Sequence, residues 1–212
     1  MRPAMASEGT TRLVLVRHGE VEERYQRVFG GRIDMDLSAH GEEQARQTAR
    51  FLERIPVDGL YVSPMRRAQQ TVQPIAAVLN RQPLTLPELR EVDFGIWTGL
   101  SWEEVRCRHG VSAYDWLSEL QRGGIPEAES MTAYRARIAQ ALDTMLAGHP
   151  GKVIGAVCHG GVIRALLSHL LDLPLPKTAH FEINYASVTV IDRKPHRSEI
   201  QLLNYTPWRL LP

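Results

Sequence analysis

The apolar run at residues 13–16, Leu-Val-Leu-Val, ends abruptly in Arg17, His18 and Gly19. An uninterrupted apolar run of this length reads as a strand buried on both faces, the pattern of a parallel sheet. A second run covers residues 153–158 and ends in His159, Gly160 and Gly161. There the period changes, and Val162, Ile163, Leu166, Leu167, Leu170 and Leu171 recur at helical spacing. Between the two runs the pattern alternates. A helix is predicted from a Ser38 cap, with Ala45, Thr48, Ala49 and Leu52 on one face, until Pro56 stops it. A short strand over 60–62 precedes a helix over 64–79, whose inward positions are Val72, Ile75, Ala76 and Leu79; Pro74 should bend it or mark an irregularity. Another short strand covers 84–86.

Residues 100–149 read as a mainly helical insertion, with helices over 102–108, 113–121 and 131–146. Pro174 and Pro176 break the chain, and 186–192 and 199–204 alternate like edge strands joined by a hairpin turn over 192–197. Residues 1–11 read as a loose leader. Strands alternating with helices imply an α/β fold, a mostly parallel sheet with helices on both faces.

Composition narrows the classes. The 212 residues suit one domain spanning 1–212. The net charge of +1 offers no strong field for nucleic acid or an anionic membrane, so any attraction for phosphate must be local. Two cysteines form no disulfide framework, and Cys158, inside a buried strand, reads as a small core residue. No apolar run approaches the roughly 20 residues that span a bilayer, and the N-terminus lacks an apolar signal core. The expectation is a soluble cytoplasmic protein, monomer or homodimer, without nucleic-acid or membrane partners. The chain has no His-x-His, His-Glu-x-x-His or Cys-x-x-Cys pair and no Gly-x-x-x-x-Gly-Lys loop, so neither a metal, a cofactor nor a nucleotide-dependent kinase is expected.

The polar ends of the two buried runs carry the candidate chemistry. Open α/β sheets bind ligands at the carboxyl ends of their strands. There Arg17 can clamp an oxyanion, His18 can attack as a neutral nucleophile, and Gly19 can turn the chain and expose its N–H. His159 stands where a strand hands over to a helix, whose first free N–H groups, at Gly160 and beyond, make an anion site. Ser63-Pro64 starts a helix with Arg66 and Arg67 in its first turns, and helical spacing alone does not separate the two arginines. Glu91 lies in an acidic, glycine-punctuated segment with Glu88, Asp93, Glu103 and Glu104 as rivals.

Taken in order, Arg-His-Gly at 17–19, Ser-x-x-x-Arg-Ala at 63–68, Leu-x-Glu-x-x-x-Gly-x-Trp-x-Gly at 89–99 and His-Gly-Gly at 159–161 resemble the histidine phosphatase superfamily, also called phosphoglycerate mutase-like, over residues 12–205. The resemblance implies a three-layer α/β/α fold with one antiparallel strand. It also implies phosphoryl transfer through a phosphohistidine on His18. Arg17 and Arg67 would hold phosphate oxygens; Arg67 is chosen over Arg66 because it directly precedes Ala68. Glu91 would be the acid and then the base. His159, as an imidazolium once phosphate is bound, would be a third donor beside Gly160.

Many members carry Thr and Asn where this chain has Val21 and Arg24, so Arg24 and its loop neighbour Arg32 are candidate substrate contacts. The 24–34 and 91–104 segments look like α-ribazole phosphatase-type members. Trp97 is expected to pack under its loop, and His40, His109, His149, His169, His180 and His196 to be surface or structural. The compact chain and the tryptophan motif favour a metal-independent phosphomonoesterase acting on a small phosphorylated metabolite. A mutase and a catalytically silent binding module are the alternatives.

Overall fold

The structure, a computed structural model, describes residues 9–209. Its centre is a six-stranded sheet in the order β3-β2-β4-β1-β5-β6. The strands are β1 (Thr11–Arg17), β2 (Gly59–Val62), β3 (Leu84–Thr85), β4 (Val153–Cys158), β5 (Val188–Arg193) and β6 (Ser198–Tyr205). β1 to β4 run parallel; β5 runs antiparallel to both its neighbours and is the one strand against the rest.

The two apolar runs of the sequence are the adjacent central strands, and their alternation fills two cores. Leu13, Leu15, Ile154, Ala156 and Cys158 enter one layer with α5 (Met131–Gly148) and α6 (Gly160–Leu170). Val14, Val16, Val153 and Val157 enter the other with α1 (Ala39–Leu52) and α2 (Arg66–Leu79). Both faces of β1 and β4 are therefore dry, which is why neither run alternates with polar residues. The fold is the expected three-layer α/β arrangement. Among the described residues, no helix is long and apolar enough to cross a membrane.

Local signals placed most elements. Ser38 caps α1, its side chain accepting from the Gly41 N–H at 2.9 Å. The helix ends at Leu52, before Pro56 is reached. α2 begins at Arg66 rather than Pro64 and is assigned unbroken through Pro74, because Val72 and Ile75 on either side are held in the core. The predicted 113–121 helix is a 3₁₀ turn (Ala113–Asp115) followed by α4 (Trp116–Gln121). Pro174 and Pro176 do break the chain, yet a 3₁₀ helix (Leu175–His180) forms there, since proline suits a first turn. Of the predicted leader, Thr11 belongs to β1, paired with Arg193, and residues 1–8 lie outside the described residues.

The helical insertion includes α3 (Trp102–His109), and α5 steers the loop before Glu91. Arg137 of α5 donates to Glu129 through two bonds of 2.6 and 2.8 Å, and its Nη1 donates to the Glu88 and Arg90 carbonyls, each at 2.7 Å. Both partners of this ion pair are nearly buried. Breaking one side of such a pair strands the other charge, which commonly costs about 3–5 kcal/mol. Arg137→Leu should therefore lose about that much in urea unfolding. Adding Glu129→Leu should recover part of the loss; a double variant no more stable than the single one would contradict this account.

Candidate active site

Register builds the site. Arg17 lies level with Cys158, and the His18 N–H donates to the Cys158 carbonyl at 2.9 Å. His18 and His159 thus leave adjacent strands at one edge of the sheet, ring centroids 5.2 Å apart. The next turn is forced by crowding. A Cβ on Gly19 would lie 2.5 Å from the Gly41 carbonyl oxygen. The Gly19 N–H donates to Thr71 Oγ1 at 2.9 Å, so this glycine serves close packing against α1 and does not offer its N–H to a ligand, contrary to the sequence expectation.

His18 is buried, with Nδ1 2.8 Å from the Gly19 carbonyl oxygen. A carbonyl only accepts, so Nδ1 carries the ring proton and Nε2 keeps its lone pair. Burial, then the charges of Arg67 and Arg17, hold this imidazole well below its ordinary range, as a free base.

Arg67 is buried at the start of α2, whereas Arg66 is exposed and paired with Asp36, so helix packing makes the choice that spacing left open. Arg67 Nε donates to His18 Nε2 at 3.2 Å, and its Nη1 and Nη2 donate to the Ile33 and Gly31 carbonyls at 2.8 and 3.0 Å. Arg17 donates to the Ile183 carbonyl at 2.6 Å and lies 4.0 Å over the Tyr185 ring; its buried Nε has no partner among the described residues.

Glu91 sits on the first turn of α6. Its carboxylate accepts from the Gly161 N–H at 3.2 Å and from the Val92 N–H at 3.0 Å. A negative group suits a helix N-terminus. A Cβ on Gly161 would come within 2.4 Å of Glu91 Oε1, so the second glycine of His-Gly-Gly makes the carboxylate's seat. Gly160 lies against Arg17. His159 is fully buried, 2.7 Å from Ser63 Oγ through Nε2, and its Nδ1 has no partner. Burial first, then Arg67, hold it well below the usual imidazole range.

These groups border a cavity of about 260 Å³ lined by Arg17, His18, Arg67, Glu91, Gly160 and Arg164. Its outer wall is aromatic, with Phe94 edge-on to Trp116 at 5.1 Å and Trp102 edge-on to Tyr114 at 5.8 Å. Three predicted contacts do not line it: His159 packs beside His18, and two arginines are engaged elsewhere. Arg24 is exposed and donates to Glu22, and Arg32 pairs with Asp93 at 3.3 Å; neither lines the cavity. Each has a nearer carboxylate in or beside its own loop. Trp97 is buried under its loop, as expected. The sequence reading missed Arg164, which donates to the Thr178 carbonyl, and Tyr185. Arg164 had a signal. It interrupts the apolar face of α6 one turn after Gly160, and helical side chains lean toward the N-terminus. Tyr185 had none, since a connection placed it.

The family model described as "Histidine phosphatase superfamily (branch 1)" matches residues 13–206. The chain is 31% identical over 195 residues to "Phosphoserine phosphatase 1" of Hydrogenobacter thermophilus, covering 92% of each. It is 30% identical to the "2,3-bisphosphoglycerate-dependent phosphoglycerate mutase" of Caulobacter sp., covering 85% of this chain and 88% of that one. Its fold is similar to the crystal structure of the α-ribazole phosphatase from Shigella flexneri, with a TM-score of 0.79 at 24% identity, over 95% of this chain and 100% of that one. Relatives of this similarity, aligned along most of their length, and a family match covering nearly all described residues lead to one conclusion: the chain belongs to branch 1 of the histidine phosphatase superfamily.

Proposed function

We propose that the chain is a metal-independent phosphomonoesterase that hydrolyses a small phosphorylated metabolite through a phosphohistidine on His18. The observation that carries this reading is the His18 Nε2 lone pair, buried and unprotonated, with Arg67 bonded to it and Arg17 and Glu91 lining the same cavity. Nε2 attacks phosphorus, the ester P–O bond breaks, and the leaving oxygen takes a proton from the Glu91 carboxyl. Water then attacks the phosphohistidine and gives its proton to the Glu91 carboxylate; the N–P bond breaks and inorganic phosphate leaves. Arg67 gives up its bond to Nε2 as that nitrogen attacks. With Arg17 it then bonds the non-bridging oxygens, a bidentate fit for phosphate.

The relatives named as phosphoserine phosphatase support hydrolysis, and those named as mutase supply the rival. Inorganic phosphate release against isomerisation of a phosphoglycerate separates the two. Arg164 adds a cation beyond the pair assigned to phosphate, which favours a leaving alcohol bearing a carboxylate. In a substrate panel, O-phosphoserine or 3-phosphoglycerate should exceed glycerol 3-phosphate in kcat/KM by roughly tenfold or more, the worth of a charge-assisted hydrogen bond. Equal turnover would remove the carboxylate preference.

His18→Ala should abolish turnover and, with it, acid-labile labelling of the protein by a phosphorylated substrate. Full activity in that variant would end the phosphohistidine reading.

Glu91→Gln keeps the size of the side chain and removes proton exchange. The phosphorylation step with an alkyl phosphate should slow by about 10²–10⁴-fold, the usual worth of general acid catalysis. A nitrophenyl phosphate, whose leaving group needs little protonation, should slow much less in the same step. Equal slowing for both would pass the role of acid to Asp93 or Glu88.

A further inference from the structure

We infer that Ser63 is a positioning residue that locks His159 as a neutral imidazole with its proton on Nδ1, so that His159 meets the phosphoryl group as an uncharged hydrogen-bond donor. The inference rests on the proposed phosphoryl transfer, because a phosphoryl oxygen is the acceptor that the Nδ1 hydrogen needs.

The argument is a count of hydrogens. Ser63 is fully buried between β2 and α2, and its hydroxyl has one hydrogen to give. Its oxygen already accepts from the Met65 N–H at 3.3 Å, and its remaining contact is His159 Nε2 at 2.7 Å. Had Nε2 carried the ring proton, Ser63 would accept twice and its own hydrogen would be buried with no acceptor among the described residues. If Ser63 donates to Nε2 instead, every hydrogen at this end is used and the ring proton falls on Nδ1.

The other end of the ring decides, since an Nδ1 hydrogen is as unpartnered as the stranded Ser63 hydrogen until a phosphoryl oxygen accepts it. Nδ1 is buried and has no partner among the described residues. A bare lone pair there would repel a phosphate oxygen, whereas an N–H there awaits one. An imidazolium fits no better, because a protonated Nε2 would again strand the Ser63 hydrogen. The groups facing the ring also oppose a positive charge. They are Arg17 and His18 from the end of β1, Arg67 from α2 and Arg137 from α5. Cys158 precedes the ring and Glu91 sits on the following turn, bonded to Gly161. The two histidines are then one tautomer put to opposite uses. His18 binds the Gly19 carbonyl through Nδ1–H and presents a lone pair at Nε2, while His159 takes a hydrogen at Nε2 and presents N–H at Nδ1.

The decisive experiment is nitrogen NMR on the full chain with ¹⁵N-histidine, free and with saturating inorganic phosphate, between pH 6 and 8. The resonance lost in His159→Gln identifies the residue. The inference expects a protonated Nδ1 and an unprotonated Nε2 in both states. An imidazolium or an Nε2–H tautomer at His159 in either state overturns it, and this reading needs no variant at Ser63. Kinetics supply a second arm. Ser63→Ala should lower kcat about ten- to a hundredfold, the order seen when an orienting partner of a site histidine is removed, with little change in KM. Its His159 should show mixed tautomers, and Ser63→Thr, which keeps the hydroxyl, should restore the Nδ1–H form. A Ser63→Ala protein that folds and keeps the wild-type tautomer also overturns the inference. Failure of the phosphatase reading is distinguishable, because it would appear as absent turnover in the wild type while the nitrogen shifts of the free protein remain measurable.

Discussion

The site depends on one register, that of β1 against β4. Arg17 is level with Cys158, and the next amide, His18 N–H, bonds the Cys158 carbonyl at 2.9 Å. A slip of one residue would send every side chain of β1 to the opposite layer, exchanging Leu13 and Leu15 with Val14 and Val16. Because both faces of both strands are packed, the sheet holds this register rigidly. Two histidines separated by more than half the chain therefore arrive side by side with no flexible segment between them and the core.

The charges around that edge follow a second rule. Arg17, Arg67 and Arg164 are oriented by backbone carbonyls, those of Ile183, Ile33, Gly31 and Thr178, and not by carboxylates. A carbonyl dipole aims a guanidinium without cancelling its charge. Several arginines elsewhere are paired with acids, as Arg137 is with Glu129 and Arg122 with Glu119, and there the charge is spent locally. A chain with a net charge of only +1 can thus present a concentrated positive field in one cavity. Burial first, and then Arg67 and Arg17, hold both imidazoles below their ordinary range, so two of the cations that attract phosphate also disfavour a proton on the nucleophile.

Close approach supplies the remaining precision. Gly19 and Gly41 bring the turn after His18 against the start of α1, where a Cβ on Gly41 would lie 2.0 Å from the Glu20 carbonyl oxygen. Gly161 does the same for Glu91 on α6. Helix N-termini meet the chain on two sides of the nucleophile, and in both places the missing side chain is the space another group occupies.

The sequence by itself determined what local physics decides. Buried runs that end in polar residues marked β1 and β4, Ser38 marked the cap of α1, and the spacing after His159 marked α6. The ordered motifs were enough to name His18, Glu91, Arg17, Arg67 and His159, which the tertiary structure gathers around one cavity or directly beside it. Tertiary structure alone decided what each polar group is bonded to. Arg66 and Arg67 are neighbours in sequence, and only the packing of α2 turns one inward and the other to solvent. Arg24 and Arg32 looked like ligand contacts until Glu22 and Asp93 engaged them. Tyr185 and the Ser63 bond to His159 depend on partners 168 and 96 positions away, beyond any local pattern. A periodicity reports which face of an element is dry; it carries no information on which distant donor or acceptor that face will meet.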